Sequence, residues 1–232
     1  MRKPVSLGWL LLSVWLVACG SRDDAPRGNP SERPASPPAG SQAIEVSARP
    51  KVVVLGDSLT AGLGLDAALA YPALLQAKLN TEGLKYDVVN AGVSGDTSAG
   101  GLSRLDWSLQ GDVRVLVVAL GGNDGLRALP ADELKQNLAK IIERAQGRGI
   151  TVVLAGMEAP PNFGRDYVVS FHRVYPELAS RYHVALVPFL LEGVAGSQTL
   201  NQRDGIHPTA EGAKIVADNI WTVLKPIVAA RP

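Results

Sequence analysis

The sequence predicts an α/β protein, a three-layer α/β/α sandwich built on a five-stranded parallel sheet. Two observations carry this. From about residue 51 onward, short apolar runs rich in β-branched residues alternate with stretches of helical periodicity, and such alternation makes each helix a crossover on a parallel sheet. The runs are also continuously apolar, as strands covered on both faces should be.

Strands are expected at 51–55, 86–90, 114–120, 150–155 and 184–187. The first helix, 72–79, opens on Pro72, where a missing N–H costs nothing. A second runs over 97–109. The third, 132–146, places Leu134, Leu138, Ile141, Ile142 and Ala145 on one face and is stopped by Gly147 and Gly149. Helices at 165–181 and 209–228 complete the set. Trp107 and Trp221 are expected to pack, and His172 and His183, with no acid at useful spacing, to be surface or packing residues.

The N-terminal part differs in composition. Arg2 and Lys3 precede an apolar stretch, 5–18, that is too short to span a bilayer and reads as the h-region of a signal peptide. Leu16-Val17-Ala18-Cys19 resembles the bacterial lipobox. The expectation is a signal peptide over 1–18, a lipid anchor on Cys19 (the single cysteine), a Pro/Ser/Gly-rich tether to residue 50, and one domain over 51–230. A conventional signal peptide with a chance cysteine near its cleavage site is the competing reading. Gly20 and Ser21, with no Asp behind the cysteine, resemble Gram-negative lipoproteins held from the periplasm on the outer membrane. Loss of Arg2 and Lys3 takes the formal charge from +1 to −1, so no basic field invites nucleic acid.

The parallel-sheet frame gives the polar motifs a common address, because sites on such sheets lie past the carboxyl ends of the strands. Gly56-Asp57-Ser58-Leu59 follows the first strand, Asn90 to Ser98 the second, and Gly121-Gly122-Asn123-Asp124 the third; Asp204-Gly205-Ile206-His207 precedes the last helix. Serine is a poor nucleophile without an adjacent base, and the base needs a partner that fixes its tautomer. Ser58, His207 and Asp204 are the parts of that relay. The N–H groups of Ser58 and Gly95 and the Asn123 amide are candidate donors to a developing oxyanion. Asp57 and Asp124 are expected to brace loops.

Several other motifs fail on context. Gly56-Asp57-Ser58-Leu59-Thr60 lacks the second glycine of the Gly-x-Ser-x-Gly elbow. Gly62-Leu63-Gly64-Leu65-Asp66-Ala67 starts too far beyond its strand to be a dinucleotide loop. There is no Cys/His cluster of metal-ligand spacing and no Walker loop; neither a metal nor an organic cofactor is expected.

Gly56-Asp57-Ser58, Gly95, Gly122-Asn123-Asp124 and Asp204-x-x-His207, in this order and spacing, resemble the four blocks of the GDSL or SGNH hydrolases. The likeness extends over most of 51–228. The stretches 90–98, 120–127 and 160–164 are similar to the branch containing periplasmic acyl-CoA thioesterase I, lysophospholipase and arylesterase. The resemblance implies the flavodoxin-like SGNH fold and a serine esterase. Ser58 would be nucleophile, His207 base, Asp204 its orienter, and Ser58, Gly95 and Asn123 the oxyanion hole.

Loops 126–130 and 157–161 are expected to hold the acyl group, through Leu126, Leu129, Met157, Glu158 and Pro160. Glu158 stands where the best-known thioesterase type carries a basic residue, which favours aryl and acyl esters or lysophospholipids over acyl-CoA and leaves thioesters open. A carbohydrate-ester deacetylase and a lipoprotein module that kept the fold without the chemistry are the alternatives.

Overall fold

The computed structural model describes residues 49–230. The signal peptide, Cys19 and all of the tether but its last two positions lie outside the described residues. Five strands, β1 (Lys51–Gly56), β2 (Asp87–Gly92), β3 (Val113–Ala119), β4 (Thr151–Ala155) and β5 (Ala185–Val187), form one parallel sheet in the order β2-β1-β3-β4-β5. The chain starts in the interior at β1, moves out to β2, then crosses back to β3. The order therefore reverses between β1 and β3, and there a crevice opens past the strand ends.

The β1–β2 register is unbroken, and the β1–β3 register shifts once, between Lys51 and Val52; Val52 stands opposite Val88 on one side and Val115 on the other. Val52, Val53, Val54 and Leu55 of β1 and Leu116, Val117 and Val118 of β3 are fully buried, which explains their unbroken apolar character. The expectation of burial on both faces fails at β2. It is an edge strand, and Val88 and Val89 are only partly covered.

Among the described residues eight α-helices flank the sheet: α1 (Ser58–Ala61), α2 (Tyr71–Thr81), α3 (Ser98–Ser103), α4 (Leu105–Ser108), α5 (Gly122–Leu126), α6 (Ala131–Gln146), α7 (Arg165–Tyr182) and α8 (Ala210–Ala229). α2 packs with α8; α3, α6 and α7 pack together elsewhere on the sheet. In α6 all five residues of the predicted face are fully buried, each contributing roughly 1.5–3 kcal/mol on leaving water. Asp132 and Glu133 in its first turn and Arg144 in its last complement the helix dipole.

The single helix expected at 97–109 is broken at Arg104 (φ −104°, ψ 10°) into α3 and α4. The turn buries Leu105 and Leu109 and directs Trp107 outward, 68% exposed, so Trp107 is not the packing residue expected. Trp221 does pack against the core.

Candidate active site

Gly56 ends β1, and the chain turns at once into α1, a helix far too short to stand alone. Asp57 caps it: its Oδ1 accepts from Leu59 N at 3.0 Å. Thr60 Oγ1 meets Tyr71 OH at 2.5 Å beneath it, and Asn90 Nδ2 donates to Thr60 O at 2.9 Å. Ser58 thus stands at the first position of a braced turn, at the mouth of β1.

His207 arrives from a loop folded on its own acid. Asp204 Oδ1 accepts from the N–H groups of Ile206 and His207, both at 3.0 Å, and its Oδ2 lies 2.8 Å from His207 Nδ1. These two backbone bonds, followed by the His207 side chain, hold the Asp204 carboxyl down at about 2. The other ring nitrogen, His207 Nε2, is 2.9 Å from Ser58 Oγ. Ser58, His207 and Asp204 therefore form one unbroken hydrogen-bonded chain across 149 positions of sequence.

Gly95 lies in the loop after β2 with φ +86°, a left-handed conformation that glycine adopts without strain. A Cβ there would meet only Arg127 Nη2, at 3.8 Å, so the requirement at this position is conformational and not steric. Asn123, in α5 beyond β3, donates from Nδ2 to Asp96 O at 2.9 Å, with Asp57 Oδ2 at 3.4 Å. One amide hydrogen is held by the loop carbonyl. The other meets Asp57 Oδ2 in the nucleophile turn only at 3.4 Å, a long and weak bond.

Asp124 accepts from the Ser98 N–H at 2.8 Å and the Ser98 hydroxyl at 2.6 Å, tying α5 to α3. The loop-bracing expected of Asp57 and Asp124 is what these bonds do. Asp57 is almost wholly buried, and desolvation raises its carboxyl to about 6 against the lowering effects of the Leu59 N–H and the charge of His207.

A cavity of about 460 Å³ opens on Ser58, His207, Gly95 and Asn123, within the range of small-ligand sites. Of the residues expected to hold the acyl group, Leu126, Met157, Glu158 and Pro160 line it. Leu129 does not: its N–H bonds Asp124 O and its carbonyl accepts from Tyr167 OH at 2.8 Å, which folds it away from the opening. The opposite wall, built by Leu59, Leu63, Phe189, Leu191 and Ile206, was not anticipated. The signal was available, because Phe189 and Leu191 follow the last strand on the same edge as every other motif. His172 is a surface residue, as expected, and departs from expectation only in having an acid partner. Its Nδ1 lies 2.6 Å from Glu158 Oε1 at the cavity rim.

Among the described residues no three His, Cys, Asp or Glu side chains are grouped to hold a metal ion, and no helix is long and apolar enough to cross a membrane.

Residues 54–215 match the GDSL-like Lipase/Acylhydrolase family. The chain is 48% identical over 178 residues to "Esterase TesA" of Pseudomonas aeruginosa, a match covering 76% of this chain and 89% of that protein. It is 39% identical over 186 residues to "Thioesterase 1/protease 1/lysophospholipase L1" of Escherichia coli K12, covering 80% and 88% respectively. A crystal structure of TesA superposes with a TM-score of 0.74 at 47% identity, over 76% of this chain and 99% of the other. The five-stranded parallel sheet, the Ser–His–Asp geometry at its edge and these similarities together identify the chain as a member of the GDSL-like lipase/acylhydrolase family.

Proposed function

We propose that the protein is a serine esterase that hydrolyses carboxylic esters, with aryl and acyl esters and lysophospholipids as the favoured class and acyl thioesters as poorer substrates. The observation that carries the reading is the hydrogen-bonded run from Asp204 through His207 to Ser58, 2.8 and 2.9 Å long, facing a largely apolar cavity. Ser58 Oγ bonds the acyl carbon while its proton passes to His207 Nε2. Asp204, ionised well below neutral pH, steadies the imidazolium.

The carbonyl oxygen becomes an oxyanion held by the N–H groups of Ser58 and Gly95 and the amide of Asn123. Collapse breaks the ester C–O bond, and the alcohol leaves with the proton from His207. Water, deprotonated by the same imidazole, then attacks the acyl-enzyme and frees Ser58. The apolar walls suit an acyl chain or an aryl group. Glu158 at the rim opposes a phosphate-bearing leaving group by like charge.

The second half of the reading is location: acylated Cys19 would hold the domain on the periplasmic side of the outer membrane. The lipobox-like residues 16–19 and the Pro/Ser/Gly-rich segment behind them support it.

One experiment tests both halves. A fluorophosphonate probe applied to cells expressing the full chain should label the protein, and Ser58→Ala should abolish both labelling and hydrolysis of p-nitrophenyl esters. The labelled band should sediment with membranes and incorporate palmitate, and Cys19→Ser should lose the palmitate and leave the precursor unprocessed. Labelling that persists in Ser58→Ala removes the proposed nucleophile, and a parent band found only in the soluble fraction removes the anchor.

A further inference from the structure

The three donor-bearing loops follow three different strands, and no local sequence feature fixes their relative positions. Besides Asn123 itself, a side chain from outside these loops reaches two of them. Arg104, at the break between α3 and α4, donates from Nε to Asp96 Oδ2 at 2.6 Å and from Nη2 to Gly56 O at 2.9 Å; Nη1 lies 3.4 Å from Ser108 Oγ. Gly56 O stands two residues before Ser58 and also accepts from Val93 N at 3.0 Å. Asp96 follows Gly95, and its own carbonyl accepts from the Asn123 amide at 2.9 Å. The path from the nucleophile turn through Arg104 and Asp96 to Asn123 is therefore continuous.

We propose that Arg104, through its ion pair with Asp96, is a positioning residue for the oxyanion hole, holding the loops after β1, β2 and β3 together so that Asn123 is aimed at the charge that develops on the substrate. The proposal rests on the reading of Asn123 as an oxyanion donor. Arg104 touches no reacting atom and lies beyond the cavity lining.

Three physical points favour it. The two side chains are only 16% and 19% exposed, so salt screens them less than a surface pair. The guanidinium serves a carboxylate and a carbonyl at once through its rigid fork, which a lysine ammonium cannot reproduce. A misplacement of about 1 Å at a reacting centre can cost about 10²-fold in rate, so even a modest slackening of the Asp96 loop should be visible in kcat.

The test is a kinetic double-mutant cycle between Arg104 and Asn123, on p-nitrophenyl butyrate, with folding followed by thermal melting. Arg104→Leu should lower kcat about 10- to 10²-fold with KM within about twofold, and Arg104→Lys should recover only part of the loss. Asn123→Ala should lower kcat about 10²–10³-fold. In the Asn123→Ala background, Arg104→Leu should then cost less than about threefold more, because the group it positions is gone. If Arg104→Leu does not fold, Asp96→Asn serves in the same cycle, since it retains the carbonyl that receives Asn123.

Equal losses from Arg104→Leu in both backgrounds, or a rise in KM at constant kcat, would overturn the positioning role while leaving the esterase reading intact. An unchanged kcat in Asn123→Ala alone would instead remove the oxyanion reading and the proposal with it.

Discussion

Among single residues, the proposed substrate preference turns on Glu158. It lines the cavity beside Met157 and Pro160, with His172 Nδ1 2.6 Å from its carboxylate. A protonated His172 would cancel the charge, and a neutral one leaves a net negative group facing the entering ester. If that charge disfavours coenzyme A, Glu158→Arg should raise kcat/KM for an acyl-CoA, relative to a neutral ester of the same chain, about three- to tenfold at low salt. Added salt should shrink the gain. The same ratio in both proteins would mean that the side chain does not meet the leaving group. The proposed catalytic trio was legible in sequence because Asp204 and His207 share one turn and Ser58 follows a strand end. The pairs Glu158–His172 and Arg104–Asp96 were not, because each joins elements whose relative placement only the packed fold supplies.

Among the elements, those with strong periodicity were readable and the short ones were not. α6 and α8 declare themselves by apolar stripes, and β1, β3 and β4 by continuous β-branched runs. α1 and α5 have too few residues for a period to show, and their helicity comes from neighbours. α1 is the instructive case. Its backbone rests directly on the end of β2, where a Cβ on Gly92 would lie 2.3 Å from Ala61 N and 2.7 Å from Thr60 C. Backbone cannot rotate away as a side chain can, so Gly92→Ala must push α1, and Ser58 with it, off the sheet edge. The expected cost is about 1–3 kcal/mol of stability, together with a loss of kcat that the distant Gly83→Ala, strained only by its left-handed φ of +70°, should not show. A Gly92→Ala protein with parent melting temperature and parent kcat would show that the edge is more compliant than this packing implies.

Across the described residues the apolar core lies in the sheet and its helices, while most of the buried polar side chains gather in the segments around the candidate active site. Asp57, Thr60, Ser98, Asp124 and Asn201 are all nearly inaccessible there. Asp57 is the costliest to bury. Its carboxyl is raised to about 6 in the fold, first by desolvation, against an ordinary value of 3.8. The native state therefore holds a proton that the unfolded chain has released, and stability must fall as pH rises from about 3.8 through about 6. A displacement of about two units corresponds to a penalty of the order of 3 kcal/mol above that window. Asp57→Asn removes the ionisation but keeps an oxygen to accept from Leu59 N, and asparagine caps helices as well as aspartate does. The variant should melt higher by something of the order of 5–10 °C at pH 8, with the gain shrinking towards nothing near pH 4. It should also be slower, because the negative charge beside His207 favours the imidazolium that forms during attack. Thermal melts at both pH values decide the matter: a gain of equal size at pH 4 and pH 8, or destabilisation at pH 8, would mean that the Asp57 charge is not the strained element of this site.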